Sequence, residues 1–535
     1  MQKMITVRNF YHGVLSLFSA YNYILFIFGD CMEEKVHEKI HWADAKAAQV
    51  PTDVPQLVAT GITPSGPIHL GNMREVMTGD MVYKAIHSNG GKAELVYIAD
   101  DFDPLRKVYP FLSDEYQKYI GWPVCDIPCP CGKHKSYADH FLDPFLSAIE
   151  ELDIHPRVIR TSEAYRSGKF TEGIRLALEH ADEIKGILSK VSGRQLEDGW
   201  TPYYPICEKC GRISQAKILE HDSEKHTVKY ECSCGHIGIS DYSKGEGKLV
   251  WRVDWPMRWA VHGVTVEPFG KDHASPGGSY DTGKIIAKNI YGYQAPIPVT
   301  YEWISLKGKG EMHSSKGVVL TIRDMLDIVP PDVLRYMIAK TKPSKTIAFD
   351  PGMGLLKLID DYDRAIKLGG SRELELSKIH SKQTRIPFRH IVTVVQIART
   401  DDAIFSILKR NGYEIADEAS VFDQAKRAKL WLEHYAPDDI KFSISEMLPE
   451  IAANEPANVK AAVQTYAKVI ADCEWTADVL HNAVYDAATA NGITGKELFT
   501  AIYRAFIGAD RGPRLGWFLE ALGREKTLAR LALMR

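Results

Sequence analysis

Two loops in this chain carry residue types that bind phosphate, and a third segment carries thiols at metal-binding spacing. The first loop is Thr63-Pro64-Ser65-Gly66-Pro67-Ile68-His69-Leu70-Gly71-Asn72. It follows QLVATGI (56–62), an apolar, β-branched run with Gly61 near its end that reads as a buried strand. It precedes MREVMTGDMVYKAI, whose apolar spacing is helical and places the helix start around residues 68–69. A helix N-terminus just after a parallel strand offers unpaired N–H groups and a positive dipole end to an anion. Gly71 has no side chain, so a flat base or ribose can lie against the backbone there. His69 and Asn72, three positions apart, share that face within reach of phosphate oxygens. The plainer alternative is a tight strand-to-helix turn in which His69 is a cap.

The second loop is Lys307-Gly308-Lys309-Gly310-Glu311-Met312-His313-Ser314-Ser315-Lys316-Gly317, fed by a strand-like run at 301–306. Its three glycines, three lysines and two serines suit a cationic loop that closes over a polyphosphate as charge develops. Alone it reads equally well as a solvated turn, and it gains weight from the first loop. Between the two, the strand-like AELVYIA (93–99) runs into Asp100, Asp101 and Asp103, where open α/β sheets bind ligands. Those carboxylates suit ribose hydroxyls, Mg²⁺ or a cationic substrate, with a solvated Asp-rich turn as the alternative. LVWRVDWPMRW (249–259) brings three Trp, two Arg and Asp254, followed by Glu267, Asp272, His273 and Asp281. Aromatic faces with a carboxylate suit a buried ammonium, and a core Trp cluster is the alternative.

Cys207-x2-Cys210 and Cys232-x-Cys234 lie 21 residues apart, and a glycine (Gly211, Gly235) follows each pair. This spacing points to a four-thiolate zinc ribbon, structural because four thiolates leave no open position, although the C-x-C pair is tighter than the usual C-x2-C. Cys125, Cys129 and Cys131, with His134 and His140, are spaced irregularly. They fit a second zinc site or three small residues in a Pro-rich loop.

The elements that position these groups belong to a long, ordinary globular chain. Its 535 residues suggest several domains, with 45% hydrophobic and 25% charged residues. Those values and a net charge of −3 exclude a disordered, collagen-like, multi-span membrane or uniformly basic protein. Nine Cys, an odd number that includes close pairs and an isolated Cys473, favour metal binding in a reducing compartment over a disulfide scaffold. Residues 14–29 are apolar behind Lys3 and Arg8, but short of the ~20 residues a spanning helix needs. Asn22 interrupts the run, no small-x-small cleavage site follows, and Met32 opens a typical soluble start, so residues 1–31 read as an extension ahead of the true start. A cytoplasmic protein without membrane attachment is expected. After Pro387 the apolar spacing is helical and strand signal is scarce. The stretch 504–535 has seven basic residues against three acidic, interleaved with Tyr503, Phe506, Trp517 and Phe518. Such a face suits splayed nucleic-acid bases and phosphates, and a helix pair with core aromatics is the alternative.

Several of these strings, in this order, resemble one family. Pro64-x-x-Pro67-x-His69-Leu70-Gly71-Asn72 resembles the HIGH signature of class I aminoacyl-tRNA synthetases, and Glu311-Met312-His313-Ser314-Ser315-Lys316 resembles the KMSKS loop. WRVDWPMRW with FGKDHASPGGSYDTG is similar to the lysyl branch of that class, and the likeness covers nearly the whole chain from Met32. The chain departs from the pattern at Asn72, where HIGH ends in His, and at Glu311 and Ser314, the usual KMSKS lysine positions.

The resemblance implies a doubly wound parallel nucleotide-binding domain with a zinc-bearing insertion, and a C-terminal all-α domain that binds the anticodon. It implies bounds at 32–122 and 248–330 for the two halves, 123–247 for the insertion, 331–380 for a connecting region and 381–535 for the helical domain. Lysine would attack the ATP α-phosphate to give lysyl-adenylate and pyrophosphate, and the 3′ end of tRNA(Lys) would then attack the carbonyl. ATP, Mg²⁺ and a structural Zn²⁺ are expected. His69 and Asn72 would hold phosphates in a loop shaped by Pro64, Gly66 and Gly71. Lys316 would stabilise the leaving group within the loop of Met312, Ser314 and Ser315, helped by Lys307 or Lys309. Gly61 and Thr63 would line the amino-acid pocket, with Trp251, Tyr301, Asp272 and His273 beside them. Asp254, Asp272 and Glu302 are all eligible partners for the substrate ammonium. A class I synthetase for another amino acid, or a non-catalytic tRNA-binding paralogue, would carry many of the same strings.

Overall fold

The computed structural model describes residues 40–213, 216–307, 310–311, 320–380, 386–398 and 400–535. The N-terminal extension and most of the second phosphate-loop candidate, including Lys309, Met312, Ser314, Ser315 and Lys316, lie outside the described residues.

QLVATGI and AELVYIA are apolar towards both faces, as strands covered by helices on both sides must be. They form β1 (Gln56–Ile62) and β2 (Ala93–Ala99), with the bounds read from sequence. The two pair in parallel from Gln56↔Ala93 to Ile62↔Ala99. β3 (Arg157–Arg160) adds beyond β2, and β4 (Val266–Gly270) and β5 (Ile297–Tyr301) add beyond β1, all parallel. The spatial order 5-4-1-2-3 reverses between β1 and β4. Helix α1 (Leu70–Ser88) covers one face with α2 (Tyr137–Glu151), and α3 (Trp251–His262) and α4 (Ser279–Tyr291) cover the other. The sheet is therefore doubly wound, and its reversal point opens a crevice at the carboxyl ends of β1 and β4.

Two expectations change here. The stretch 123–247 is not wholly an insertion, because β3 pairs with β2 and α2 packs into the main core. The excursion proper begins after β3 and returns through an antiparallel neck, Tyr203–Pro205 against Gly247–Leu249. Beyond the neck stands a three-stranded antiparallel sheet of Lys217–Asp222, Thr227–Glu231 and Ile237–Asp241. The run 301–306 is also not one strand. β5 ends at Tyr301, and Ile304–Leu306 joins a separate sheet with Gly310–Glu311 and Ile347–Phe349. The break is held by the buried Arg74 guanidinium, which donates to the carbonyls of Glu302, Trp303 (3.3 Å), Pro343 (3.1 Å) and Lys345 (2.7 Å).

After Phe349 the described residues are helical and contain no strand, as expected. Helices up to His434 share the hydrophobic core of the sheet domain through Ile391, Leu408 and Trp431, and residues 452–534 enclose a core of their own.

Arg335, on α5 (Pro331–Ala339), ties three elements together from full burial. It pairs with Asp80 of α1 at 2.5 Å and donates to Leu152 O (3.0 Å) and Leu376 O (2.8 Å). Arg335→Ala leaves the buried Asp80 carboxylate with the Lys84 ammonium at 3.6 Å in place of its close guanidinium partner, and strands the Leu152 and Leu376 carbonyls. It should lower the unfolding free energy by about 3 kcal/mol, read from the midpoint of a urea titration.

Candidate functional site

The crevice encloses about 860 Å³ and is lined by Gly61, Thr63, Asn72, Trp251, Asp272, His273 and Tyr301, all expected site residues. Pro64, Gly66 and His69 lie in the loop that leads from it into α1, Gly71 lies in the first turn of α1, and none of the four lines it.

One residue that sequence reasoning passed over stands at its floor. Glu75 of α1 accepts the Gly61 N–H (2.8 Å) on one carboxylate oxygen and the Tyr301 hydroxyl (2.8 Å) on the other. Both donors are neutral, and burial pushes its carboxyl up to about 8, with Glu267 and Asp272 adding to the rise. A usable signal was present, since Glu75 lies three positions after Asn72 and so on the same helix face.

The other carboxylates divide sharply. Asp254 is excluded as an ammonium partner, because it is fully buried against the Tyr165 hydroxyl (2.5 Å) and Arg258 (2.6 Å). Glu302 is taken by Lys271 at 2.7 Å. Asp272 stays half-exposed and lines the crevice. Asp100, Asp101 and Asp103 are not a solvated turn, and they already hold cations of the chain itself. The buried Lys248 ammonium, on the neck, lies 2.8 Å from Asp100 and 2.5 Å from Asp103, and Arg258 reaches Asp100 at 2.9 Å. Burial alone would raise the Asp100 carboxyl, but Arg258 and Lys248 hold it far below the usual range. Asp101 binds Arg160 (2.8 Å) and the Ser162 hydroxyl (2.7 Å). Asp103 also accepts the Thr63 hydroxyl at 3.1 Å, linking this network to the crevice.

The aromatic wall has its own anchor. Trp251 stacks on Trp255 at 5.2 Å and 15°. The indole N–H groups of Trp255 (3.0 Å) and Trp259 both donate to Glu267, whose carboxyl burial pushes up to about 7. His273 lies 5.5 Å from Trp255, and burial lowers its affinity for a proton.

At the first loop the capping alternative holds. His69 Nδ1 accepts the Gly71 N–H (3.1 Å) while Asn72 Oδ1 accepts the His69 N–H (3.3 Å), a reciprocal capping box at the start of α1. A Cβ at Gly71 would lie 2.8 Å from the His69 ring, so the space expected for a base or ribose is filled by the imidazole. His69 also bridges to Thr321, and Leu70 N donates to Leu320 O at 3.2 Å. The chain leaving the second loop is thereby fastened to the first.

The thiol clusters are assembled as well. Cys207 and Cys234 sulfurs are 3.7 Å apart, Cys210 and Cys232 sulfurs 3.9 Å, and all four ligand atoms fall within 4.8 Å of one another. Tetrahedral Zn–S bonds of ~2.3 Å give sulfur separations of about 3.8 Å, so this donor set fits zinc. Gly211 (φ 72°) and Gly235 (φ 78°) take the left-handed turns that follow each pair. Cys129, Cys131 and His140 form a second cluster, with the His140 Nδ1 at 3.6 and 3.3 Å from the two sulfurs. Cys125 stays outside it, facing Asp126. His134 lies edge-on to His140 and is oriented by Asp143 at 2.8 Å.

The C-terminal basic-aromatic face is largely core. Tyr503, Phe506 and Phe518 are buried, Arg504 pairs with Glu455 (2.9 Å) and Asp510 (2.6 Å), and Arg530 donates to backbone carbonyls. Trp517 remains partly open, with the Arg514 guanidinium 5.3 Å from its ring.

Residues 40–385 match the family described as tRNA synthetases class I (K), and residues 414–534 match the anticodon binding domain. A lysine–tRNA ligase from Methanosarcina barkeri is 46% identical over 518 residues, covering 91% of this chain and 96% of that protein. One from Archaeoglobus fulgidus is 45% identical over 491 residues, covering 91% and 98%. One from Thermoplasma volcanium is 42% identical over 504 residues, covering 92% and 98%.

The raised Glu75 carboxyl has a stability consequence. Between its ordinary 4.5 and about 8 the folded state keeps a proton that the unfolded state releases. This contribution is complete below pH 4.5 and is lost as pH rises through about 8. Ligand-free Glu75→Gln cannot ionise, so its melting temperature relative to the parent should climb steadily from pH 5 to pH 8. Parallel curves across that window would contradict the assignment.

Proposed function

We propose how the crevice works from one premise: the chain belongs to the tRNA synthetases class I (K) family. Its activity is ATP-dependent lysine–tRNA ligation, with lysine, ATP and tRNA(Lys) as substrates and a C-terminal anticodon-binding domain.

The side-chain ammonium of lysine binds between Glu75 and Tyr301, under the face of Trp251. The observation that carries this reading is a floor carboxylate whose hydrogen-bond partners among the described residues are neutral donors, so an incoming ammonium supplies the missing charge. The α-ammonium goes to Asp272, the more exposed carboxylate at the end of β4, with His273 beside it. Gly61 and Thr63 line the pocket between, and Asp103 fixes the Thr63 hydroxyl.

The ATP phosphates lie against the loop of Pro64, Gly66 and Gly71 at the start of α1, reached by Asn72 and His69. Because Nδ1 of His69 serves the cap, its phosphate contact falls to the opposite ring edge. Lys316, in the loop with Met312, Ser314 and Ser315, stabilises the pyrophosphate leaving group. The bridge from His69 to Thr321 supports this role by bringing the end of that loop to the phosphate site. Neither chemical step needs a covalent enzyme intermediate, so positioning and fixed charge carry the catalysis. Mg²⁺ enters with ATP. Asp100, Asp101 and Asp103 do not fit it, since each is already paired within the chain.

Cys207, Cys210, Cys232 and Cys234 hold a structural Zn²⁺, and Cys129, Cys131 and His140, with His134 adjacent, form a second, less complete metal site. The domain division that best suits these contacts keeps 40–160 and 251–380 as the nucleotide-binding body and confines the insertion to 161–250. No helix among the described residues is long and apolar enough to cross a membrane, and the reading carries a cytoplasmic location.

ATP–pyrophosphate exchange with each amino acid in turn, with and without tRNA, tests the reading. Lysine alone should support exchange. The KM for lysine should fall as pH rises from 6 to 8, because binding needs Glu75 ionised. Glu75→Gln should raise that KM on the order of 100-fold, the loss of ~3 kcal/mol from an unpaired charge contact, and flatten its pH dependence. Exchange driven by another amino acid would overturn the substrate. For the metal, Cys207→Ser should release one zinc per chain in native mass spectrometry and lower the melting temperature.

A further inference from the structure

Away from the crevice, one carboxylate holds two arginines that come from different parts of the chain. Glu151, the last residue of α2, lies 2.8 Å from Arg323 and 2.9 Å from Arg427. Burial would raise its carboxyl, but the two guanidiniums hold it below the ordinary carboxylate range.

The two arginines are held very differently. Arg427, on the tail helix Glu418–His434, is buried and makes two further contacts, to Asp423 (2.8 Å) and to the Val329 carbonyl (3.1 Å). The Arg323 side chain is 43% exposed and stands on a helix of only five residues, Ile322–Leu326. Its other acidic partner, Asp327 at 3.2 Å, caps that same short helix and moves with it. Among the described residues, Glu151 is therefore the ion-pair anchor of Arg323 on another element. A helix so short has no stability of its own and takes its place from tertiary contacts. Ile322, Met325 and Leu326 are buried in the main core, and Thr321 closes a capping box with Asp324. Thr321 is also the residue bridged to His69, and Leu320 before it accepts the Leu70 N–H at 3.2 Å. The short helix thus begins at the first phosphate loop and is tied through its first turn to the end of α2.

An ion pair made by an exposed guanidinium contributes little to stability, so its effect here is placement. Without the charge of Glu151, Arg323 and Arg427 would be left as two like charges about one space. Arg427 cannot withdraw, because Asp423 and Val329 keep it buried. The repulsion then falls on Arg323 and on the five-residue helix that carries it. We propose that Glu151 is a positioning residue for the ATP site, holding the helix Ile322–Leu326, and through it the Thr321 bridge to His69, against the charge of Arg427. The proposal rests on the reading that the His69 loop receives the ATP phosphates. It adds that a residue of the tail, Arg427, bears on that loop through one carboxylate.

ATP–pyrophosphate exchange at saturating tRNA(Lys) tests it on Glu151→Gln, Arg323→Gln, the double variant, and His69→Ala as the control for the underlying reading. Glu151→Gln should raise the KM for ATP about 10-fold and leave the KM for lysine at the parent level. Arg323→Gln, which removes the anchor but also the repulsion, should raise the KM for ATP by no more than about 3-fold. The double variant should fall back to the level of Arg323→Gln. It lacks the same carboxylate as Glu151→Gln, so an improvement of this kind cannot come from general destabilisation. His69→Ala should raise the KM for ATP. A double variant as impaired as Glu151→Gln would overturn the proposal, and so would an equal rise in the KM for lysine. A parent-level KM for ATP in Glu151→Gln beside a raised one in His69→Ala would overturn it while leaving the phosphate-loop reading standing. An unchanged KM for ATP in His69→Ala would overturn that reading and the proposal with it.

Discussion

The buried Lys248 ammonium is the interaction on which the site's geometry rests. It sits among Asp100, Asp103 and Asp254, with Arg258 completing the charge balance. Through Asp103 it orders the Thr63 hydroxyl at the crevice, and it does so from the neck of the excursion, not from the sheet. One side chain thus fixes the distance between the two walls of the pocket. Replacing such a network by apolar packing is often neutral for stability, whereas removing one member leaves several uncompensated charges. Its value here is registry, since a hydrophobic neck would hold the same elements without specifying where Asp103 and Thr63 stand.

The floor of the crevice is built around buried carboxylates. Glu75 and Glu267 are both raised by burial, and they face each other closely enough that Glu267 contributes to the rise of Glu75. Glu267 is occupied by two indole N–H groups and so sets the slope of the aromatic wall, leaving Glu75 as the one poised to gain from a charged ligand. A pocket of this kind discriminates by charge as much as by length. A neutral isostere leaves the floor carboxylate unpaired, while an analogue shorter by one methylene changes contact by only ~1–3 kcal/mol.

Much of the fold was legible in local pattern. β1 and β2 are continuous apolar runs, and their bounds follow from composition alone. The thiol quartet follows from spacing and the two left-handed glycines. What was not legible depends on partners remote in sequence. Nothing local in RVIR (157–160) announces that it adds to β2, because its neighbour lies about sixty residues away. Asp100, Asp103 and Asp254 looked available because Lys248 and Arg258 meet them only in three dimensions. Glu75 looked like an ordinary polar helix position until β5 brought Tyr301 against it. Tyr503, Phe506 and Phe518 looked like a nucleic-acid face because helical spacing alone does not say which side of a helix pair is inward.

The neck also bears on the order in which the chain assembles. β1 meets β4 across a separation of 208 residues, as in the contact between Leu57 and Thr265, and long-range parallel pairing of that kind is slow. Much of the intervening chain is the excursion, whose ribbon is built from antiparallel neighbours and a thiol cluster close in sequence. A ribbon that folds first, locally, removes its own length from the loop that β1 and β4 must close, and loop-closure entropy falls with the logarithm of that length. The gain is modest in free energy, but it comes early and presents the two neck strands side by side. Local pairing in the ribbon therefore shortens the closure that the sheet requires, a contribution separate from anything the excursion does at the pocket.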